Sequence, residues 1–124
     1  TICPSMVCAI SKDAREARRI AAGAVAFHAT VKTYRNLFAF HGFEEEVGRI
    51  WAAFRSGDYE AMINAVSDEM VDIYTAAGTL DQVRAKLATY DGMADSIKLM
   101  APCRFIDPEV TREQQQIIIE SLAI

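Results

Sequence analysis

The stretch Gly78-Thr79-Leu80-Asp81-Gln82-Val83-Arg84-Ala85-Lys86-Leu87-Ala88-Thr89-Tyr90, followed by Ser96-Ile97-Lys98-Leu99-Met100-Ala101, constrains the fold more than any other. Thr79 with Gln82 three residues on reads as a capping box: the hydroxyl accepts the Gln82 backbone N–H and the Gln82 side chain returns to the Thr79 N–H. Gly78 breaks whatever precedes it. Leu80, Val83 and Leu87 then recur at helical spacing, and Lys86 falls near the negative end of the helix dipole. A capped helix that feeds a short apolar strand is a unit of an α/β layer fold.

The rest of the chain supplies partners for that unit. Ile2-Cys3-Pro4-Ser5-Met6-Val7-Cys8-Ala9-Ile10 reads as a core strand with no lead-in element before it. Ser11 can cap a helix running to about Thr33, with Asp13 and Glu16 in its first turn. Its apolar positions, Ala17, Ile20, Ala21, Ala24, Phe27, Ala29 and Val31, form a mostly alanine stripe that allows close approach to a neighbour. Lys32 to Gly42 continues helically until the glycine. Phe43, Val47, Ile50, Trp51 and Phe54 have the cleanest helical period in the chain, which predicts burial of Trp51 and Phe54 before Ser56-Gly57 ends the helix. Asp58 and Ser67 can cap two further short helices, the second reaching Tyr74. No repeat or low-complexity linker interrupts the order, and 1–124 reads as a single segment.

Composition narrows the function classes. Thirteen Lys and Arg stand against 17 Asp and Glu, a net charge of −4, and neither sign forms a run, so nucleic acid is not indicated. Arg15, Arg18 and Arg19 sit among Asp13 and Glu16 and read as a solvated face. No apolar run reaches the 18 or so residues of a membrane span, and no leader pattern is visible; the expectation is a soluble, cytoplasmic protein. Three cysteines without CxxC spacing argue against a disulfide framework or a zinc site, and predict buried, reduced thiols. His28 and His41 lack neighbours at ligand spacing, so no metal is expected and each reads as a half-buried or capping histidine. Glu44-Glu45-Glu46 suits a positive helix N-terminus rather than acid chemistry, and no phosphate-cradling glycine motif occurs.

The Gly78-Thr79…Val83 run resembles the Gly-Thr/Ser-Pro-Glu/Asp-Glu-Val passage of the luciferase-like flavin and deazaflavin oxidoreductases. Asp13-Ala14-Arg15-Glu16-Ala17-Arg18 is similar to that family's segment after the seventh barrel strand. Tyr34, Gly42-Phe43 and Asp68-Glu69-Met70-Val71-Asp72 resemble its helical excursion. Asp107-Pro108-Glu109-Val110-Thr111-Arg112 and Ile117-Ile118-Ile119-Glu120 resemble the ending of its methylenetetrahydromethanopterin reductase branch. The resemblance implies a (β/α)8 barrel, which needs about 250 residues, so these 124 are expected to hold its C-terminal part. That part would be α/β, predominantly helical, with two adjacent parallel strands, Cys3 to Ile10 and Ser96 to Ala101, joined by a long multi-helix crossover.

The resemblance further implies an oxidoreductase or monooxygenase that passes a hydride or electrons between reduced FMN or an 8-hydroxy-5-deazaflavin coenzyme and a small organic substrate. Homo-oligomerisation is compatible with it. Barrel active sites lie at the C-terminal ends of the strands, which singles out Ser11-Lys12 and Pro102-Cys103-Arg104. Lys12, as a point charge, and Arg104, through its planar fork, are the candidate contacts to a cofactor or substrate anion. No catalytic residue is assigned, because the family holds the ring mainly with earlier strands, and the isolated segment is expected to be inactive. The alternative is a freestanding, mainly helical interaction module whose alanine stripe and Trp51-Phe54 face receive a partner.

Overall fold

A computed structural model describes residues 1–122. Among these, three parallel strands and seven α-helices alternate: β1 (Ser5–Ile10), α1 (Ala14–Ala29), a 3-10 turn (Lys32–Tyr34), α2 (Arg35–Phe40), α3 (Glu44–Arg55), α4 (Tyr59–Asn64), α5 (Asp68–Tyr74), β2 (Thr75–Gly78), α6 (Leu80–Ala88), β3 (Lys98–Met100) and α7 (Pro108–Leu122). The sheet order is β2-β1-β3. β1 and β3 are adjacent and parallel, Ser5 facing Lys98 and Val7 facing Met100. The expected crossover between them contains a third strand: β2 pairs with the other side of β1, from Val7 opposite Thr75 to Ile10 opposite Gly78. β1 is therefore central and buried.

Alternation along β1 separates the two faces. Met6, Cys8 and Ile10 pack with Ala76, with Val83 of α6 and with Ile117 and Ile118 of α7. Ala9 turns the other way, onto Ala17, Ala21 and Ala22 of α1. Alanine lets the α1 backbone lie close to the sheet, as the stripe predicts. Beyond α1, Val25, Ala26, Phe38, Phe43, Ile50, Met62 and Met70 build a separate core among the helices. Phe54 departs from expectation. It is 42% exposed and Trp51 is only half buried, because among the described residues nothing covers the outer side of α3.

Local chemistry explains where the helices start. Asp13, rather than Ser11, caps α1 by accepting the Arg15 N–H. Asp58 caps α4, Ser67 caps α5, and Thr79 with Gln82 forms the full capping box on α6. β3 stops opposite Val7, which leaves the last residues of β1 without a strand on that side. There the buried Gln114 of α7 accepts the Ile10 N–H (2.7 Å) and donates to the Ile10 carbonyl (2.8 Å). Its amide stands in for a neighbouring strand's peptide group and meets the requirement that buried backbone groups be paired.

Candidate functional site

In sequence, Lys12 follows the C-terminal end of β1 and Arg104 that of β3. After β1, the Ser11 N–H donates to the Gly78 carbonyl (3.1 Å), which locks the ends of β1 and β2 together. The Ser11 hydroxyl donates to Glu16 (3.0 Å) and accepts the Asp13 N–H (3.2 Å). This knot holds the backbone on both sides of Lys12, whose side chain is exposed. After β2, a side chain at Gly78 would collide with that of Gln82, and its φ of +151° adds a second reason for glycine.

Beside β2 lies a cavity of about 340 Å³ walled by Arg18, Asp72, Gln82 and Lys86. Arg18 is not the freely solvated residue that its neighbours imply. It donates to the Asp72 carboxylate (2.8 Å) and the Asp68 carbonyl (2.9 Å), and the bond to Asp72 raises its pKa against an opposing burial effect. Lys86 donates to the Asp72 carbonyl. Both cations are thus already partnered.

Arg104 follows β3 in a loop that crosses α1. Its carbonyl abuts Gly23, where a Cβ would come within 2.5 Å, and its guanidinium lies 4.1 Å from the centre of the Phe27 ring. That stacking is a cation–π contact. Phe105 takes φ +60°, rare for a side chain of its bulk, and its ring stacks on Tyr59 at 5.1 Å. Phe27 lies thirteen residues past Ala14 in α1, about 20 Å along the axis at 1.5 Å per residue. Lys12 precedes that helix, so the two candidates stand at opposite ends of it and form no common anion subsite within this chain.

The remaining candidates resolve simply. His41 ends α2 and its Nδ1 lies 2.6 Å from the Tyr74 hydroxyl, whose pKa burial raises. His28 Nδ1 lies 2.8 Å from the Ala24 carbonyl. Glu45 and Glu46 face Arg49 at 3.0 and 3.8 Å. Of the cysteines only Cys8 is buried, which pushes its thiol up to about 11, whereas Cys3 and Cys103 are exposed, contrary to the expectation of buried thiols. Among the described residues no cluster of His, Cys, Asp or Glu could hold a metal, and no helix is long and apolar enough to cross a membrane. Gln114 escapes a reading of the sequence because it sits in the polar run Glu113-Gln114-Gln115-Gln116.

The fold is similar to that of the coenzyme F420-dependent tetrahydromethanopterin reductase from Methanopyrus kandleri, with a TM-score of 0.72 at 20% identity. The match covers 93% of this chain and 33% of that one, so the chain spans about a third of the length of the reductase. No curated protein matches. Residues 1–96 match the family described as luciferase-like monooxygenase, and by that match over most of its 124 residues the chain belongs to that family.

Proposed function

We propose that residues 1–124 are one segment of a (β/α)8 oxidoreductase that passes a hydride or electrons between a reduced flavin, FMN, or an 8-hydroxy-5-deazaflavin coenzyme and a small organic substrate. The observation that carries this reading is the family match across residues 1–96. The cavity beside β2 does not by itself fit the tricyclic ring. The cavity beside β2 is walled by polar groups whose cations are already engaged with Asp72 and Asp68, not by an apolar slot. The cofactor carries the redox chemistry in such enzymes and the barrel positions it; no step of that chemistry is assigned to this chain. Its contribution is a rigid sheet end, set by the Ser11–Gly78 bond, that presents Lys12 to an anion. Arg104 is the other proposed anion contact, and it must leave Phe27 or be met there.

The test titrates the product of the gene's full reading frame with FMN and with the deazaflavin by fluorescence. Arg104→Ala and Lys12→Ala should each weaken cofactor or anionic-substrate binding by about 1.5–3 kcal/mol, the range for a charge-assisted hydrogen bond. Unchanged affinity in both variants would leave Lys12 as a solvated lysine and Arg104 as a packing residue on Phe27. The reading as a freestanding interaction module draws on one observation, the 85% exposure of Phe40. A full-frame product that binds neither cofactor would favour it.

A further inference from the structure

A cavity of about 260 Å³ opens between the sheet and the helices at the N-terminal ends of β1 and β2. Its floor is apolar and closed, formed by Ala24, Val25 and Phe38, each at most 4% exposed. Tyr34, Leu37 and Met100 stand at its mouth, between 36% and 43% exposed. These are large apolar side chains left partly in water around a preformed hollow, the usual character of a small-molecule site. The polar groups along the wall decide what could enter.

Among the described residues that line it there is no Lys, Arg, Asp or Glu, so an ionic ligand would enter without a counter-charge. Of the four hydroxyls that line it, Tyr74 pairs with His41 Nδ1 at 2.6 Å, Thr75 donates to the Val71 carbonyl at 2.7 Å, and those of Ser5 and Tyr34 belong to residues exposed to water. His28 differs. Its Nδ1 faces the Ala24 carbonyl, which can only accept, so Nδ1 carries a proton, and in that tautomer of the ring Nε2 is the acceptor. The rings of Tyr34, Phe38 and Tyr74 supply aromatic surface around it. Edge-to-face contacts already order these rings, His28 with Tyr34 at 5.3 Å and Phe38 with Tyr74 at 5.0 Å.

We propose that this cavity is a binding site for a neutral aromatic ligand of phenol to indole size whose single hydroxyl or N–H donates to His28 Nε2. Size agrees: a dry cavity of roughly 150 Å³ accommodates benzene, and this one has room for a ring plus a polar substituent. Neither Lys12 nor Arg104 lines this cavity, and the proposal does not rest on the redox reaction proposed above.

The test is methyl-detected NMR of the 124-residue chain titrated with phenol, toluene and benzoate. Phenol should shift the methyl signals of Val7, Val25, Leu37 and Met100, toluene should bind about five- to tenfold more weakly for want of the hydrogen bond, and benzoate should not bind. His28→Phe should bring phenol down to the affinity of toluene while toluene is retained. Leu37→Trp, at the tolerant mouth, should exclude all three with the circular dichroism unchanged. Benzoate binding as tightly as phenol, equal affinity for phenol and toluene in the unmodified chain, or shifts confined to other methyl groups would each overturn the proposal. Because the three-probe series needs no variant, the result stands even where His28→Phe does not fold.

Discussion

The sheet half of the molecule and its helical excursion bury comparable side chains to different extents. Cys8, Ala9, Ala17, Ala21, Ala76 and Val83, around the sheet, are wholly inaccessible. In the excursion Ile50, Met62 and Met70 are equally buried, yet Phe40 is 85%, Tyr59 54% and Phe54 42% exposed. The difference lies in layering. β1 has helices on both faces, so Met6, Cys8, Ala9 and Ile10 are covered. The helices from α2 to α4 form a single layer, and such a layer buries one stripe and leaves the opposite side in water. β1 is set by packing from both faces, while Ile2, Met93 and Ile119 of the sheet half stay exposed outside it; the excursion keeps an apolar side to spare.

The largest effects should come from the inner stripe of the excursion and from the end of β1. Ile50→Ala, at a fully buried position, should lower unfolding free energy by about 2–5 kcal/mol in urea melts. A loss below about 1 kcal/mol would mean that the excursion is not packed as a core at all. Gln114→Leu should cost about 2–3 kcal/mol, since it strands both the Ile10 N–H and its carbonyl in a buried setting. Amide exchange should localise the damage. Ile10 would lose protection first, and a variant with Ile10 still protected would show that another group holds the end of β1.

Those two positions also mark what the sequence could and could not reveal. The caps at Asp58, Ser67 and Thr79 were legible because each is decided within three residues of chain. Ile50 was legible because helical periodicity is local as well. β2 was not, since Thr75-Ala76-Ala77-Gly78 follows directly on a helix and has neither alternation nor bulk to mark it. A strand covered on both faces can be built from small residues, and then it leaves no pattern. Gln114 was hidden because its partner is 104 residues away. The stacking of Arg104 on Phe27 was hidden for the same reason: which aromatic face meets a cation is a tertiary fact. The exposure of Phe54 shows the converse limit, because a period says which side of a helix is apolar but not whether a second layer exists to cover it.

Smaller effects sharpen the contrast between the halves. Cys3 and Cys103 should react with a thiol reagent at mild alkaline pH within the mixing period. Cys8, with its pKa raised to about 11 by burial, should react only as fast as the molecule opens. Three equally fast thiols would mean that the sheet half is not closed. At the other extreme, Phe40→Ser should change stability by no more than about 0.5 kcal/mol, as expected for a surface position. A clear destabilisation would show that Phe40 is covered in solution and that the excursion has a partner layer.

The most direct test of the account is whether the 124-residue chain, alone, binds the cofactor of the reaction proposed for its family. Fluorescence titration of the folded chain with FMN and with the 8-hydroxy-5-deazaflavin coenzyme should show no saturable binding up to high micromolar concentration. The chain presents Lys12 and Arg104 some 20 Å apart along α1, and the cavity beside β2 is walled by Arg18, Asp72, Gln82 and Lys86 rather than by apolar groups suited to a tricyclic ring. Saturable micromolar binding of either cofactor would contradict this account and would place the ring site within these residues.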